Sequence, residues 1–181
     1  MSEVTDRSAV TEPVVRSETG RKILAALRIV IGFNFFWSFL DKLLGLNYNT
    51  AAESAWIQGG SPTQGYLMGA SDGWLGPVWE AVAGSVVIDT LFMLALLGLG
   101  VAALTGAGLR IAAVAGVLLS VGFYLSQLPL EAGAATNPVT TSHWYYFLLF
   151  LLFPFLDAGR TWGVANIWER FSIVQKNPWL R

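Results

Sequence analysis

Several ionisable and hydrogen-bonding side chains lie inside long apolar stretches of this sequence. Charged groups are costly at membrane depth, so those found there usually face other helices or a water-filled cavity and mark a functional site. Asp89, His143 and Asp41 are the candidate catalytic residues, since each of these side chains can take up or release a proton. The candidate residues for binding a ligand are Lys42, Tyr124, Gln127, Tyr146 and Asn34.

Helical spacing places the polar side chains of each apolar stretch on a single stripe. The stripes are Asn34, Ser38 and Asp41; Ser85, Asp89 and Met93; Gly116, Ser120, Tyr124 and Gln127; and His143, Tyr146, Phe150, Pro154 and Asp157. Polar stripes avoid lipid by converging, so we predict an outward-opening polar pocket with Asp89 near Asn34 and Ser120 at mid-membrane. The alternative is that the stripes only supply hydrogen bonds between helices.

The elements that position these side chains follow from composition and length. The chain has 181 residues, of which 54% are hydrophobic and 13% charged, whereas about 25% of residues are charged in typical soluble proteins. A bilayer core of about 30 Å needs about 20 apolar helical residues, which the segments 23–46, 78–104, 109–130 and 142–160 provide. We therefore predict an all-α, integral membrane four-helix bundle over residues 23–165, with a disordered tail at 1–22 and a second tail at 166–181.

The placement of lysine and arginine predicts the orientation of these spans. Of the eleven lysines and arginines, all but Lys42 fall before or at the start of the first span, after the second or after the fourth. We therefore expect a plasma-membrane protein with both termini cytoplasmic, the 131–141 turn outside, and the outer loop 47–77 lying on the membrane surface. Arg28 is about 9 Å inside the inner boundary by helical rise, where it snorkels to the interface or pairs with Asp157.

The residue inventory excludes several kinds of redox centre within the chain. The sequence has no cysteine and one histidine, His143. Iron–sulfur clusters and thiolate metal sites need cysteine, and a bis-histidine haem or a multi-histidine zinc site needs a second histidine. We therefore expect no metal site and no covalently bound cofactor. Any electron chemistry then requires a diffusible redox substrate or a partner protein.

Three segments follow one another in a recognisable order. They are Asn34–Leu46 (NFFWSFLDKLLGL), Ser54–Leu67 (SAWIQGGSPTQGYL) and Asn137–Tyr146 (NPVTTSHWYY). This order resembles the DoxX/DoxD family of four-span membrane proteins, in particular its actinobacterial members, and the resemblance covers most of residues 23–165. The family includes the DoxD subunit of thiosulfate:quinone oxidoreductase. The resemblance therefore implies a quinone as diffusible substrate, a role in quinone-linked sulfur oxidation, and a second protein subunit or larger membrane complex.

A quinone needs an apolar slot for its tail, hydrogen-bond partners for its two carbonyls, and a proton route when it is reduced. The expected roles are a bond to one carbonyl for His143 or Tyr146, a bond to the other for Tyr124 or Gln127, and proton exchange for Asp89 or Asp41. Thiosulfate is a dianion, and Lys42 is the one outer cation. A second subunit would therefore have to supply further positive charge.

Two other functions are compatible with the sequence. One is a non-catalytic membrane component that scaffolds or matures a respiratory or redox complex. The other is a proton-coupled carrier, which Asp89 favours, although four spans without internal repeats are unusual for an independent transporter. Bound quinone in the purified protein favours the oxidoreductase, whereas co-purification with a larger complex and no quinone favours the scaffold.

Overall fold

The computed structural model describes residues 14–130 and 137–180. All regular elements in these two ranges are helices, joined by a few single 3-10 turns. In chain order the helices are α1 (Glu18–Leu44), α2 (Gln64–Gly69), α3 (Gly76–Val82), α4 (Val86–Thr105), α5 (Leu109–Ser126), α6 (Ser142–Phe155), α7 (Ala165–Trp168) and α8 (Ser172–Lys176).

Among the described residues, the three helices α1, α4 and α5 are long and apolar enough to cross a membrane. The prediction of a helical membrane protein is confirmed in this form. Helix α6 is apolar too, but its 14 residues rise only about 21 Å. The fourth span was expected over 142–160 and ends at Phe155 instead, because Pro154 cannot donate to the carbonyl of Phe150 and Asp157 turns the chain with a φ of 51°.

The long helices pack in antiparallel pairs, α4 along α1 and α5 along α6. Glycines allow both close approaches: a Cβ on Gly100 would lie 2.7 Å from the backbone nitrogen of Phe36, and a Cβ on Gly116 would lie 2.6 Å from the Phe150 ring. Helix α1 reaches α6 through Phe35, whose ring packs edge-on against Phe150 at 5.2 Å. One buried apolar cluster draws on all four helices and includes Phe35, Met93, Leu96, Leu99, Ala112, Phe150 and Phe153.

The second predicted span, 78–104, is not one helix. Helix α3 ends at Val82, Gly84 adopts a left-handed φ of 73°, and α4 begins at Val86. Asp89 therefore lies in the first turn of α4 and not in the middle of one continuous helix, as the predicted span 78–104 would have placed it. Because apolar residues flank Gly84 on both sides, hydropathy alone does not show the break.

Arg28 is completely buried and joins three parts of the chain. Its guanidinium nitrogens donate to the carbonyls of Ala103 and Leu104 at the end of α4, and of Ala158, Thr161 and Trp162 after α6. The last carbonyls of a helix lack partners within it, so Arg28 satisfies groups that would otherwise be unpaired. The predicted pairing with Asp157 is wrong, since that carboxylate lies 3.6 Å from Arg160 Nε.

Both predicted tails contain ordered structure. Helix α1 begins at Glu18, so residues 18–22 are helical instead of disordered. After α6 the chain folds back against α5, where Arg110 Nη1 donates to the carbonyl of Pro178 at 2.7 Å. The remaining parts of the predicted tails and of the 131–141 turn, namely residues 1–13, 131–136 and 181, lie outside the described residues.

Candidate functional site

Two neighbouring cavities lie near one end of the helices. This end, which we call the distal end, is marked by Leu44, Val86, Ser126 and Ser142. The smaller cavity has a volume of about 170 Å³, and we call it the polar cavity because its lining includes Asn34, Ser38, Lys42, Ser120, His143 and Tyr146. The structure thus brings together four residues of the predicted site, which are Asn34, Lys42, His143 and Tyr146.

Tyr146 contributes a hydroxyl group to the polar cavity. Asn34 Nδ2 donates to this hydroxyl oxygen at 3.3 Å, so the hydrogen of Tyr146 remains for another acceptor. Among the described residues Tyr146 has no such acceptor. Its ring is fixed edge-on against Phe35 at a centroid distance of 5.4 Å. Packing therefore holds the ring in place while the O–H group stays available to a ligand.

His143 lies at the border of the polar cavity. Its Nε2 is 3.0 Å from Gln127 Nε2, and because an amide nitrogen can only donate, the histidine nitrogen must accept. With the amide in this orientation, the ring hydrogen is on Nδ1. The ring also stacks on Phe123 at 4.9 Å with an interplanar angle of 13°. His143 therefore offers one N–H donor in a fixed orientation.

Lys42 adds a positive charge to the lining. Its Nζ lies 5.9 Å from the centroid of the Phe92 ring, within the range of a cation–π contact. Within the described ranges no carboxylate lies within salt-bridge distance of this ammonium group. The side chain lines both distal cavities, so its charge is available to a ligand in either of them.

Asp41 does not share the cavity with Lys42. Its carboxylate is 1% exposed and accepts the backbone N–H groups of Tyr48 at 3.1 Å and Asn49 at 2.9 Å. Both oxygens are therefore used to hold the chain that leaves α1. The predicted proton-exchange role of Asp41 has no geometric support, because each carboxylate oxygen already faces a loop amide.

Asp89 is likewise turned away from the polar cavity. One carboxylate oxygen accepts from Ser61 Oγ at 2.9 Å and from Thr63 N and Oγ1 at 3.2 and 2.5 Å. The predicted neighbours Asn34 and Ser120 are not among these partners. Since Asp89 is 4% exposed and lies in the first turn of α4, it attaches the loop between α1 and α4 to that helix end.

Tyr124 and Gln127 also lie outside the polar cavity. The hydroxyl of Tyr124 donates to the carbonyl of Val139 at 2.9 Å, and its ring packs edge-on against Trp144 at 5.7 Å. Gln127 contacts His143 but is itself exposed. Of these two residues, Gln127 therefore affects the cavity indirectly, by orienting His143.

The second cavity lies between α4 and α5 and has a volume of about 570 Å³. We call it the apolar cavity, because its walls include Leu91 and Ala95 from α4 and Ala115, Leu118 and Gly122 from α5. Sequence reasoning missed it. The available signal was the set of small residues on facing helices, but small residues are also typical of close helix packing.

Aromatic and hydroxyl pairs separate the apolar cavity from its surroundings. Phe92 and Phe123, edge-on at 6.1 Å, line both the apolar and the polar cavity. The hydroxyls of Tyr66 and Ser126, 2.8 Å apart, lie between the apolar cavity and a third space of about 830 Å³, which we call the distal cleft. Among the described residues, Asp72 is the one charged residue in the lining of that cleft.

The polar cavity therefore presents hydrogen-bond donors that have no acceptor in the described part of the chain. The Tyr146 O–H, the His143 N–H and the Lys42 ammonium group are the three donors. An uncharged ligand with carbonyl oxygens would complement them, as would an anion small enough to enter. No group of three or more metal-ligating side chains occurs within residues 14–130 and 137–180.

Comparisons of the chain with protein-family models, with curated proteins and with solved structures found no match. The geometry of the cavities and the sequence motifs are therefore the basis for a functional assignment.

Proposed function

We propose that this chain is a four-span plasma-membrane protein of the DoxX type that binds a quinone in the polar cavity, as the membrane subunit of a quinone-linked oxidoreductase. The motif order in residues 34–67 and 137–146 supports the family assignment. The arrangement of α1, α4, α5 and α6 around one apolar cluster supports a four-helix bundle. The lysine and arginine distribution supports cytoplasmic termini.

The observation that carries this proposal is the set of donors, without acceptors among the described residues, that two helices contribute to the lining of the polar cavity. Lys42 comes from α1, whereas His143 and Tyr146 come from α6. A quinone has two carbonyl oxygens on opposite sides of a flat ring, and each accepts a hydrogen bond. Donors on two facing helices can therefore bind both carbonyls at once, and the aromatic residues Phe35, Phe92 and Phe123 supply apolar walls for the ring.

Reduction of a quinone to a quinol consumes two electrons and two protons. A donor that bonds a carbonyl is in position to give up its hydrogen as charge develops on that oxygen. His143 can donate a hydrogen bond to that oxygen while Gln127 holds its other ring nitrogen, and the two protons come from solvent. The oxidation of two thiosulfate ions to tetrathionate releases two electrons and would balance the reaction.

The electron donor is assigned to a second subunit. Within residues 14–130 and 137–180, the one charged residue that lines the distal cleft is Asp72, and a carboxylate repels a dianion such as thiosulfate. Lys42 lines the polar and the apolar cavity instead of the cleft. Positive charge for the sulfur substrate must therefore come from a partner protein, as the resemblance to a multi-subunit oxidoreductase implies.

The substitution Tyr146→Phe tests quinone binding. It removes the hydroxyl and keeps the ring that packs against Phe35. Loss of one hydrogen bond of about 1.4 kcal/mol corresponds to a tenfold weaker affinity, which quinone titration of the purified protein will measure. Tyr145→Phe is the matched control, because Tyr145 is exposed and lines neither cavity. Wild-type protein that binds no quinone but co-purifies with a larger complex would support the scaffold function instead.

The orientation has a separate test. The sequence contains no cysteine, so single cysteines can be introduced at Glu53, in the loop before α2, and at Ser172, at the start of α8; both positions are exposed. A membrane-impermeant thiol reagent added to intact cells should label Glu53→Cys, and Ser172→Cys only after lysis. Labelling of both positions from the same side would contradict the four-span topology.

A further inference from the structure

The apolar cavity is larger than the polar cavity and has no part in binding a quinone ring. It exists because small residues face each other where α4 and α5 separate. A Cβ on Gly122 would meet no atom within 4 Å, whereas a Cβ on Gly116, two turns away on the same helix, would lie 2.6 Å from the Phe150 ring. Helix α5 is therefore tightly packed on its α6 side and open on the side that faces α4.

This cavity lies at the flank of two helices that are apolar enough to cross a membrane. Leu91 on α4 and Leu118 on α5 line it and are 57% and 68% exposed. In a membrane, the medium that surrounds such leucines is the hydrocarbon of lipid chains. The cavity is thus within reach of a lipid chain from the side.

A polar atom without a partner belongs to one of the residues that line the same cavity. Trp79, from α3, lines the cavity, and its indole Nε1 is buried without a hydrogen-bond partner among the described residues. A buried N–H that lacks an acceptor costs about 1–3 kcal/mol. An acceptor supplied by a ligand would remove this cost.

The order of polarity along the cavity identifies the ligand class. The polar lining residues, Lys42, Thr63, Tyr66, Trp79 and Ser126, belong to the distal ends of the helices and to the segments next to them, whereas the lining from Ile88 to Ala95 on α4 and from Ala115 to Phe123 on α5 is apolar. Between Ser126 and Ala115 this path is about 16 Å long at the helical rise. A glycerolipid in a bilayer has the same order, with ester carbonyls at the interface and an acyl chain below them, and tryptophan prefers that interface.

We propose that the apolar cavity is a lipid site that holds one acyl chain of a glycerophospholipid from the distal leaflet, with an ester carbonyl accepting from Trp79 Nε1. The site is distinct from the polar cavity, from which the Phe92–Phe123 pair separates it. A quinone ring in the polar cavity would instead have its carbonyl groups further from the distal end of the helices than Trp79 Nε1. The inference therefore holds whether or not the chain handles a quinone.

The test uses the full-length protein in nanodiscs of phosphatidylcholine that carries a photoreactive diazirine on one acyl chain. Cross-links in the wild type are expected in residues 88–95 and 115–126. Gly122→Leu should reduce this cross-linking at least tenfold, because the new side chain occupies the cavity. Gly98→Leu is the matched control: this glycine is also open to substitution, but it is on the outer surface of α4 and lines neither cavity.

A second pair of variants addresses the polar end of the site. Trp79→Phe should lower cross-linking severalfold by removing the N–H donor, whereas Trp74→Phe should not, since Trp74 is exposed and outside the cavity. Thermal unfolding of each variant shows whether the fold is kept. Equal cross-linking in Gly122→Leu and the wild type would overturn the proposal. Displacement of the probe by a small mole fraction of prenyl quinone would also overturn it and assign the cavity to a quinone tail.

Discussion

Two cations of α1, Arg28 in its first half and Lys42 in its last turn, have opposite surroundings. All three guanidinium nitrogens of Arg28 donate to carbonyl oxygens of α4 and of the chain after α6. Lys42, about 21 Å further along the helix by its rise, lies over the Phe92 ring and lines two cavities. This difference distinguishes a structural charge from one that can bind a ligand. The donors of a structural charge are paired within the protein, whereas those of a ligand-binding charge are free to bond a ligand.

The same criterion separates the other polar groups. Asp41 and Asp89 are almost fully buried, and each has loop N–H or O–H donors on its carboxylate. Tyr146, His143 and Trp79 each retain a hydrogen without an acceptor among the described residues. The carboxylates therefore stabilise the fold, and the groups with unpaired hydrogens belong to the two proposed ligand sites.

The largest effect on stability is expected for Arg28→Met. The substitution removes the donor of five carbonyl oxygens, two of them in buried and three in partly buried hydrogen bonds, and removal of one partner from a buried charged network costs about 3–5 kcal/mol. Thermal unfolding in detergent will measure the loss. Lys22→Met is the control, because Lys22 forms an exposed pair with Glu18 and should change stability by less than about 1 kcal/mol. Equal stability of the two variants would show that Arg28 does not join the three segments.

An intermediate effect is expected for Asp89→Ala. The side chain accepts from Ser61 and Thr63, and loss of a buried acceptor costs about 1–3 kcal/mol. Hydrogen exchange at the Thr63 amide should become faster, because this N–H loses its acceptor, while quinone affinity stays the same. Asp72→Ala, at an exposed position, should leave that amide unchanged. Loss of quinone binding in Asp89→Ala with an unchanged loop would restore the functional role predicted from the sequence.

Some of these features follow from the sequence because helical geometry is local. The spacing from Asn34 to Ser38 and from His143 to Tyr146 sets the face of each side chain, and the structure places all four around one cavity. Composition likewise predicts the membrane helices. These inferences need only the residues of one helix at a time.

Other features depend on contacts that have no sequence signature. The partners of Arg28 are backbone carbonyls, which every residue type has, and the partners of Asp89 come from a loop whose position depends on the whole fold. Glycine is ambiguous for the same reason: Gly100 permits close packing, Gly84 ends a helix, and Gly122 leaves a cavity. Which of these three roles a glycine has depends on its surroundings in the folded chain.

The smallest effect on stability, with a clear effect on binding, is expected for Lys42→Met. Among the described residues the ammonium group has no salt bridge to lose, and an apolar chain of similar length suits a partly buried position. The free energy of unfolding should therefore change by less than about 1 kcal/mol. Quinone affinity should fall about tenfold, which corresponds to about 1.4 kcal/mol. Lys42→Arg, which keeps the charge, should retain much of the affinity. A loss of stability as large as that of Arg28→Met would place Lys42 with the structural charges and remove the cation from the proposed quinone site.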